Sequence, residues 1–248
     1  MSGHSKWSSI KHKKAAVDAK RGQLFTKLAR DVTMAARNGG DPQTNAALRL
    51  AIQRAKDNNM PNDNTERAIQ RALGRDSASL EEVQYEAYGP GGTAVLIEAV
   101  TDNRNRTVAE VRTTLSRGGG NLAESGAVSW QFNLQGVITI DVPGDDLDEL
   151  QLTAIEAGAI DVSVADGVVE VITEPGALES IRAALTAAGT SVAQAEVAQV
   201  PKNTVALDAA AAVQTLQLLE RLDDLDDVSR VYSNADFPAE VLEAAGSP

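Results

Sequence analysis

The chain has 248 residues, 43% of them hydrophobic and 23% charged, with no cysteine, two histidines and a formal net charge of −12. That apolar content supports real cores, and the length allows one to three domains. The absence of cysteine excludes disulfides and thiolate metal sites, and the confinement of His4 and His12 to the N-terminus excludes a His-based metal site or a Ser-His-Asp triad in the folded body. No apolar run reaches the length of a membrane span, and no apolar stretch of signal-peptide type follows the cationic start, so a cytoplasmic protein is expected.

Charge is sorted along the chain. Residues 1–75 carry 15 Lys and Arg against 6 Asp and Glu, a net of +9, whereas residues 76–248 carry 8 against 29, a net of −21. A basic end joined to an acidic body points to a polyanionic partner for the first and an orienting, protein-facing or solvent-facing role for the second.

Residues 1–18 hold Lys, Ser and Gly without apolar periodicity and read as a basic arm. From Ala19 to Arg37, Leu24, Leu28, Val32 and Ala36 recur on one helical face and Lys20, Lys27, Arg30 and Arg37 on the opposite one. A second helix is expected after Asp41-Pro42. A third is expected from Asp63, where Asp63 and Glu66 fit a capping box and Arg67 and Arg71 sit outside one turn apart. Residues 19–75 thus read as a three-helix domain.

The remainder alternates strand and helix. Strands are expected at Thr93–Val100, Ala127–Phe132, Val200–Leu207 and Val228–Ser233, with helices at Asp102–Arg117 and Asp208–Leu222. Between them, residues 135–199 read as strand, helix, strand, strand, helix, strand, a complete ferredoxin-like βαββαβ unit. The flanking pieces, 76–134 and 200–240, would pair as a second such unit into which the first is inserted, because neither alone has enough strands to bury its sheet. The fold class is therefore α+β: an N-terminal three-helix domain plus two ferredoxin-like βαββαβ domains, one inserted into the other.

Cations with an interleaved aromatic are the main candidate site. Lys6, Trp7, Lys11, His12, Lys13 and Lys14 on the arm would neutralise phosphates and offer an indole for stacking. Lys20, Lys27 and Arg30 extend them along the first helix as a stripe about 15 Å long, with Arg21 off that face near its start, and Arg49 and Lys56 stand on the flank of the second. A candidate anion site is formed by Arg104, Arg106, Arg112 and Arg117. Asp102 would cap that helix, and two cations in its first turn oppose the helix dipole.

Other patterns read as structural. Gly89-Pro90-Gly91-Gly92 and Gly118-Gly119-Gly120 lack the spacing of a phosphate loop and read as turns or hinges. Asp145, Asp146, Asp148 and Glu149 suit a helix N-terminus, and Asp223, Asp224, Asp226 and Asp227 read as a solvated loop. Neither cluster is spaced for metal catalysis. The strand Val137-Ile138-Thr139-Ile140 has no aromatics, so the inserted unit is not expected to stack bases.

The strings GHSKWSSIKHKKAAVDAKRG, LFTKLARD, NNMPNDNTERAI and YEAYGPGGTAVLIEAVTDNRNRT closely resemble the YebC/PmpR family, and the resemblance runs from Ser2 to about Ser233. Gln23, Thr33, Gln43 and Gln84 depart from the pattern without removing a motif cation. The resemblance implies a helical domain plus two α+β domains, one interrupted by the other. It also implies a cytoplasmic regulator of gene expression with no enzymatic activity, cofactor or metal. Bacterial members are described as DNA-binding transcriptional regulators. Other members are linked to translation, including relief of ribosomes stalled at consecutive prolines.

The expected partner is nucleic acid, either rRNA or tRNA on the ribosome or promoter DNA, with the RNA reading preferred because no helix-turn-helix with a base-reading edge stands out. No membrane partner is expected, and the acidic domains are a candidate protein-binding surface. The reading requires the lysines and arginines of the leading helices to be on the outside, not tied to the protein's own carboxylates.

Overall fold

The computed structural model describes residues 18–74, 80–141, 147–165 and 168–246. They fall into two compact units. One is Asn133–Val200; the other combines the residues before it with those after it.

The helices of the larger unit are α1 (Asp18–Ala36), α2 (Ala46–Asp57) and α3 (Asn62–Leu73). Leu28, Val32, Ala36, Leu48, Ala55, Met60, Ala68 and Ala72 bury their common core. Four of these are alanines, which lets short helices approach closely. Thr33 stitches α1 to α3 by donating to the Ala68 carbonyl at 3.2 Å. The junction of α1 and α2 is held by Asn45, whose Oδ1 caps the Leu48 N–H while Nδ2 donates to the carbonyls of Ala35 and Gly39, both at 2.8 Å. The expected capping box at Asp63 does not form. The N-cap of α3 is Pro61, without a side-chain cap, and Asp63 lies in the first turn, where its charge complements the dipole.

The same unit carries a sheet of β1 (Glu81–Tyr88), β2 (Ala94–Thr101), β3 (Asn121–Leu122) and β9 (Val228–Ser233) in the order β3-β1-β2-β9. Neighbouring strands run antiparallel. Helices α4 (Arg104–Arg117) and α7 (Ala209–Asp223) supply its apolar cover, with Val111, Leu115, Leu219 and Leu222 packed in one core with Val95, Ile97 and Val231.

Strand β1 lies where the sequence pattern shows no strand, and two expected strands differ from their expected form. Ser129–Gln131 is a 3₁₀ turn that leaves Trp130 exposed. The run Val200–Leu207 divides between the end of β7 (Gln194–Pro201) and the short β8 (Val205–Ala206), which pairs in parallel with β10 (Ala235–Asp236). A terminal helix, α8, spans Ala239–Gly246. The glycine runs are turns, as expected: Pro90–Gly92 links β1 to β2, and a Cβ on Gly118 would stand 2.6 Å from the Leu218 Cδ1 atom of α7.

The unit Asn133–Val200 contains β4 (Phe132–Asp141, of which Phe132 lies just before it), α5 (Leu147–Glu156), β5 (Asp161–Ala165), β6 (Val168–Thr173), α6 (Leu178–Ala187) and β7. The sheet order β5-β6-β4-β7, with β6 antiparallel to both β4 and β5, is that of a ferredoxin-like βαββαβ unit. Ile138, Ile140, Val169, Val171, Ile181 and Leu185 are buried in it. The class is therefore α+β, with leading helices and antiparallel sheets.

Candidate nucleic-acid interface

The predicted arm contacts Lys6, Trp7, Lys11, His12, Lys13 and Lys14 lie outside the described residues, as does the side chain of Lys20. The rest of the predicted stripe is divided by the fold. Arg21 is exposed. Lys27 is only 8% exposed, and its Nζ donates to the Asp223 carbonyl. Arg30 Nη1 donates to the Asp226 carbonyl at 2.6 Å and to Asp227 Oδ1 at 3.0 Å. Gln23 Nε2 donates to the Asp224 carbonyl at 2.6 Å and Asp226 Oδ1 at 3.0 Å. The expectation that Lys27 and Arg30 stand on an outer face is thus corrected: that face of α1 is seated on residues 223–227, and the acids read as a solvated loop are its seat.

Asp227 is the centre of this seam. At 3% exposure it accepts hydrogen bonds on Oδ2 from Arg106 Nη2 (2.7 Å), Thr107 Oγ1 (2.8 Å) and Thr101 Oγ1 (3.2 Å), while Oδ1 takes Arg30. Burial pushes its carboxyl pKa up, but the hydrogen bonds from Arg106 and Thr107 and the charges of Arg106 and Arg30 outweigh burial and hold it below the ordinary value. Its hydrogen bond raises the Arg106 pKa in turn, with help from Asp102.

A second set of contacts continues along α1. Arg54 of α2 bonds Asp31 at 2.6 Å with both side chains nearly buried, and Arg230 of β9 lies between Asp31 (3.8 Å) and Glu98 (3.4 Å). Arg37 donates to the Leu80 carbonyl.

The predicted anion site is not assembled. The cap of α4 is Asn103, not Asp102, with Oδ1 accepting from the Arg106 N–H. Arg106 is spent on Asp227 and Asp102, and Arg104 lies 3.7 Å from Glu81. Arg112 and Arg117 are exposed on the later turns. At about 100° per residue, Arg104 and Arg106 point to nearly opposite sides of the helix, so the four guanidinium groups cannot converge.

The exposed cations are on the other helices. Arg49 and Lys56 of α2 and Arg67 and Arg71 of α3 all face outward. Arg49 leans on the Pro42 and Gln43 carbonyls, and Arg67 on Asn64 and the Asp63 carbonyl rather than on a carboxylate. Arg67 and Arg71 border a cleft of about 570 Å³ between α1 and α3. Its α1 wall is the stripe Gly22, Phe25, Thr26, Ala29, Arg30 and Thr33, and Asn64 and Ala68 complete the α3 wall. Sequence reasoning found the two arginines but not the cleft, because nothing in either helix alone shows that these stripes face each other.

The basic helical region and the strand-and-helix remainder each match a known family. Residues 5–75 match the model for the TACO1/YebC protein N-terminal domain, and residues 80–235 that for the TACO1/YebC second and third domain. The chain belongs to the TACO1/YebC family. A relative from Dehalococcoides mccartyi and one from Moorella thermoacetica are each 54% identical, over 98% of both chains, and each is named "probable transcriptional regulatory protein". The crystal structure of a conserved hypothetical protein from Aquifex aeolicus is 43% identical and superposes with a TM-score of 0.85, covering 94% of this chain and 97% of that one.

One buried feature of this TACO1/YebC protein serves the frame around the interface. Glu86 of β1 is buried and accepts backbone N–H bonds from Gly126 (2.7 Å), Val128 (2.6 Å) and Ser129 (2.8 Å), which pins residues 126–129 onto the sheet. Burial raises its pKa, but the backbone donors outweigh burial and bring it below the ordinary value. Among the described residues, no group of three or more His, Cys, Asp or Glu is placed to hold a metal ion, and no helix is long and apolar enough to cross a membrane.

Proposed function

We propose that this TACO1/YebC protein is a nucleic-acid-binding regulator of gene expression that acts without catalysis, cofactor or metal, in the cytoplasm, and that its partner is RNA of the translation apparatus. Regulation of gene expression is what the family and the names of its relatives support. The observation that carries nucleic-acid contact is the outer surface of α2 and α3. Arg49, Lys56, Arg67 and Arg71 are exposed there, in a region whose sequence has a net charge of +9. Lys27, Arg30 and Arg106 become positioning residues, because a cation already bonded to Asp223, Asp226 or Asp227 must leave that partner to reach a phosphate.

Two features favour RNA over a DNA duplex. A recognition helix meets base edges with its N-terminal residues, and the first turns of α3 expose Asp63 and Glu66, which would face phosphates with like charge. The cleft beside Arg67 and Arg71 has room for an unpaired nucleotide but not for a duplex. Easing elongation at difficult sequences such as consecutive prolines is the role within translation that fits this reading, with the acidic domains as a protein-facing surface. Binding of duplex DNA as a transcriptional regulator is the second reading, favoured by the names of the relatives.

Sedimentation of the cellular protein through a sucrose gradient, with and without ribonuclease, separates the two. Co-migration with ribosomes that ribonuclease abolishes is expected. Migration at the top of the gradient together with retention of promoter fragments at physiological salt would overturn the RNA reading in favour of DNA.

A further inference from the structure

We infer that the cleft between α1 and α3 seats one unpaired nucleotide, with Arg67 and Arg71 on its phosphate and Phe25 against its base. The inference rests on the nucleic-acid reading above and narrows it to a site and a ligand class. The cleft volume, about 570 Å³, is within the range of pockets that take small organic ligands. Its two walls differ in chemistry as the two halves of a nucleotide do. The α3 wall presents Arg67 and Arg71 one turn apart, both exposed, and a guanidinium matches phosphate geometry with paired N–H donors. The α1 wall presents half-buried Phe25 beside Ala29, a surface on which any base can lie. The one carboxylate on the rim, Asp102, accepts from Arg106 at 2.8 Å, which offsets its repulsion of a phosphate.

Gly22 is an independent indication. It lies inside α1 on the cleft wall, yet glycine is the weakest helix former after proline. Beyond its chain neighbours and the backbone of its own helix, no described atom lies within 4 Å of where its Cβ would be, so the packing among the described residues gives no reason for glycine. An occupant of the cleft does, since a side chain there would fill the space along the α1 wall.

The test uses the full chain and two RNA hairpins, one fully paired and one with a single 2-aminopurine bulge, read by anisotropy and by 2-aminopurine fluorescence. The bulged hairpin is expected to bind about tenfold tighter, the worth of one stacked base, with a change in 2-aminopurine emission. Gly22→Leu should remove that preference without lowering Tm, since leucine is the better helix former. Arg71→Ala, at an exposed position, should reduce the preference independently. Equal affinity for the two hairpins in the wild type, or a preference that persists in both variants, overturns the nucleotide site. If the hairpins bind equally well with steep salt dependence, nucleic-acid binding stands without this cleft. If neither binds, both readings fall.

Discussion

Two groups of cations on the same three helices carry the same sequence signature and have opposite fates. Lys27 and Arg30 are folded onto residues 223–227, whereas Arg49, Lys56, Arg67 and Arg71 remain outside. Helical phase and sign of charge do not separate the two groups. What separates them is whether the fold brings an acceptor to meet the cation, and the acceptors here are almost 200 residues away in sequence. A basic face is therefore a seam or an interface according to the tertiary structure, and the two make different predictions.

The largest effect is expected at the seam. Asp227→Ala removes the acceptor shared by Arg30, Arg106, Thr101 and Thr107; Arg30 keeps the Asp226 carbonyl, Arg106 keeps Asp102 and Thr107 keeps the Asn103 carbonyl, but the buried carboxylate that joins them is lost. The two arginines are partly exposed, so the loss is discounted to about 2–4 kcal/mol, measurable by urea denaturation. A loss under about 0.5 kcal/mol, the range of ordinary surface changes, would mean that the seam does not hold the helices. Lys27→Glu places a carboxylate against residues 223–227 and should destabilise by about 1–3 kcal/mol, the cost of a lost charged hydrogen bond. Asn45→Ala should cost about 1 kcal/mol for the lost cap, and more if the carbonyls of Ala35 and Gly39 go unpaired.

The pH dependence sharpens the same contrast. Asp227 and Glu86 both have pKa values lowered by the fold. Their contribution is complete above the ordinary carboxylate value of about 4 and is lost as pH falls through the lowered folded values. Stability should therefore decline on acidification below about pH 4, and Asp227→Asn should flatten that decline. An acid limb identical in Asp227→Asn and wild type would contradict the assignment. The smallest effect on stability is expected from Arg67→Ala with Arg71→Ala, within about 0.5 kcal/mol, although this pair should change binding most.

The sequence disclosed the parts of the fold written in local pattern. The strands at 168–173 and 228–233 and the helix beginning after Asp208 are where alternation and apolar stripes place them. Strand β1 was hidden because Glu81, Glu82 and Glu86 make its segment look polar, and only the backbone donors of Gly126, Val128 and Ser129 explain a buried glutamate. Val128, Trp130 and Phe132 mimic a strand by alternation, but Trp130 Nε1 closes a turn by donating to the Ala127 carbonyl. Four acids near one another read as solvated for a sound average reason, and Asp227 departs from it through partners on α1 and α4 that no local window contains. Likewise, Gly22, Phe25, Arg67 and Arg71 were each visible, but their common cleft depends on how α1 and α3 pack.

The salt dependence of RNA binding tests the division of labour between seam and outer face most directly. Affinity of the full chain for single-stranded RNA is measured across salt concentrations for the wild type and for Arg67→Ala with Arg71→Ala, with Tm recorded for both. Loss of two phosphate contacts should make the log–log slope shallower by about 1.4, with Tm unchanged. An unchanged slope and affinity in the double variant would contradict the account, because the outer arginines would then not be the ones that touch phosphate.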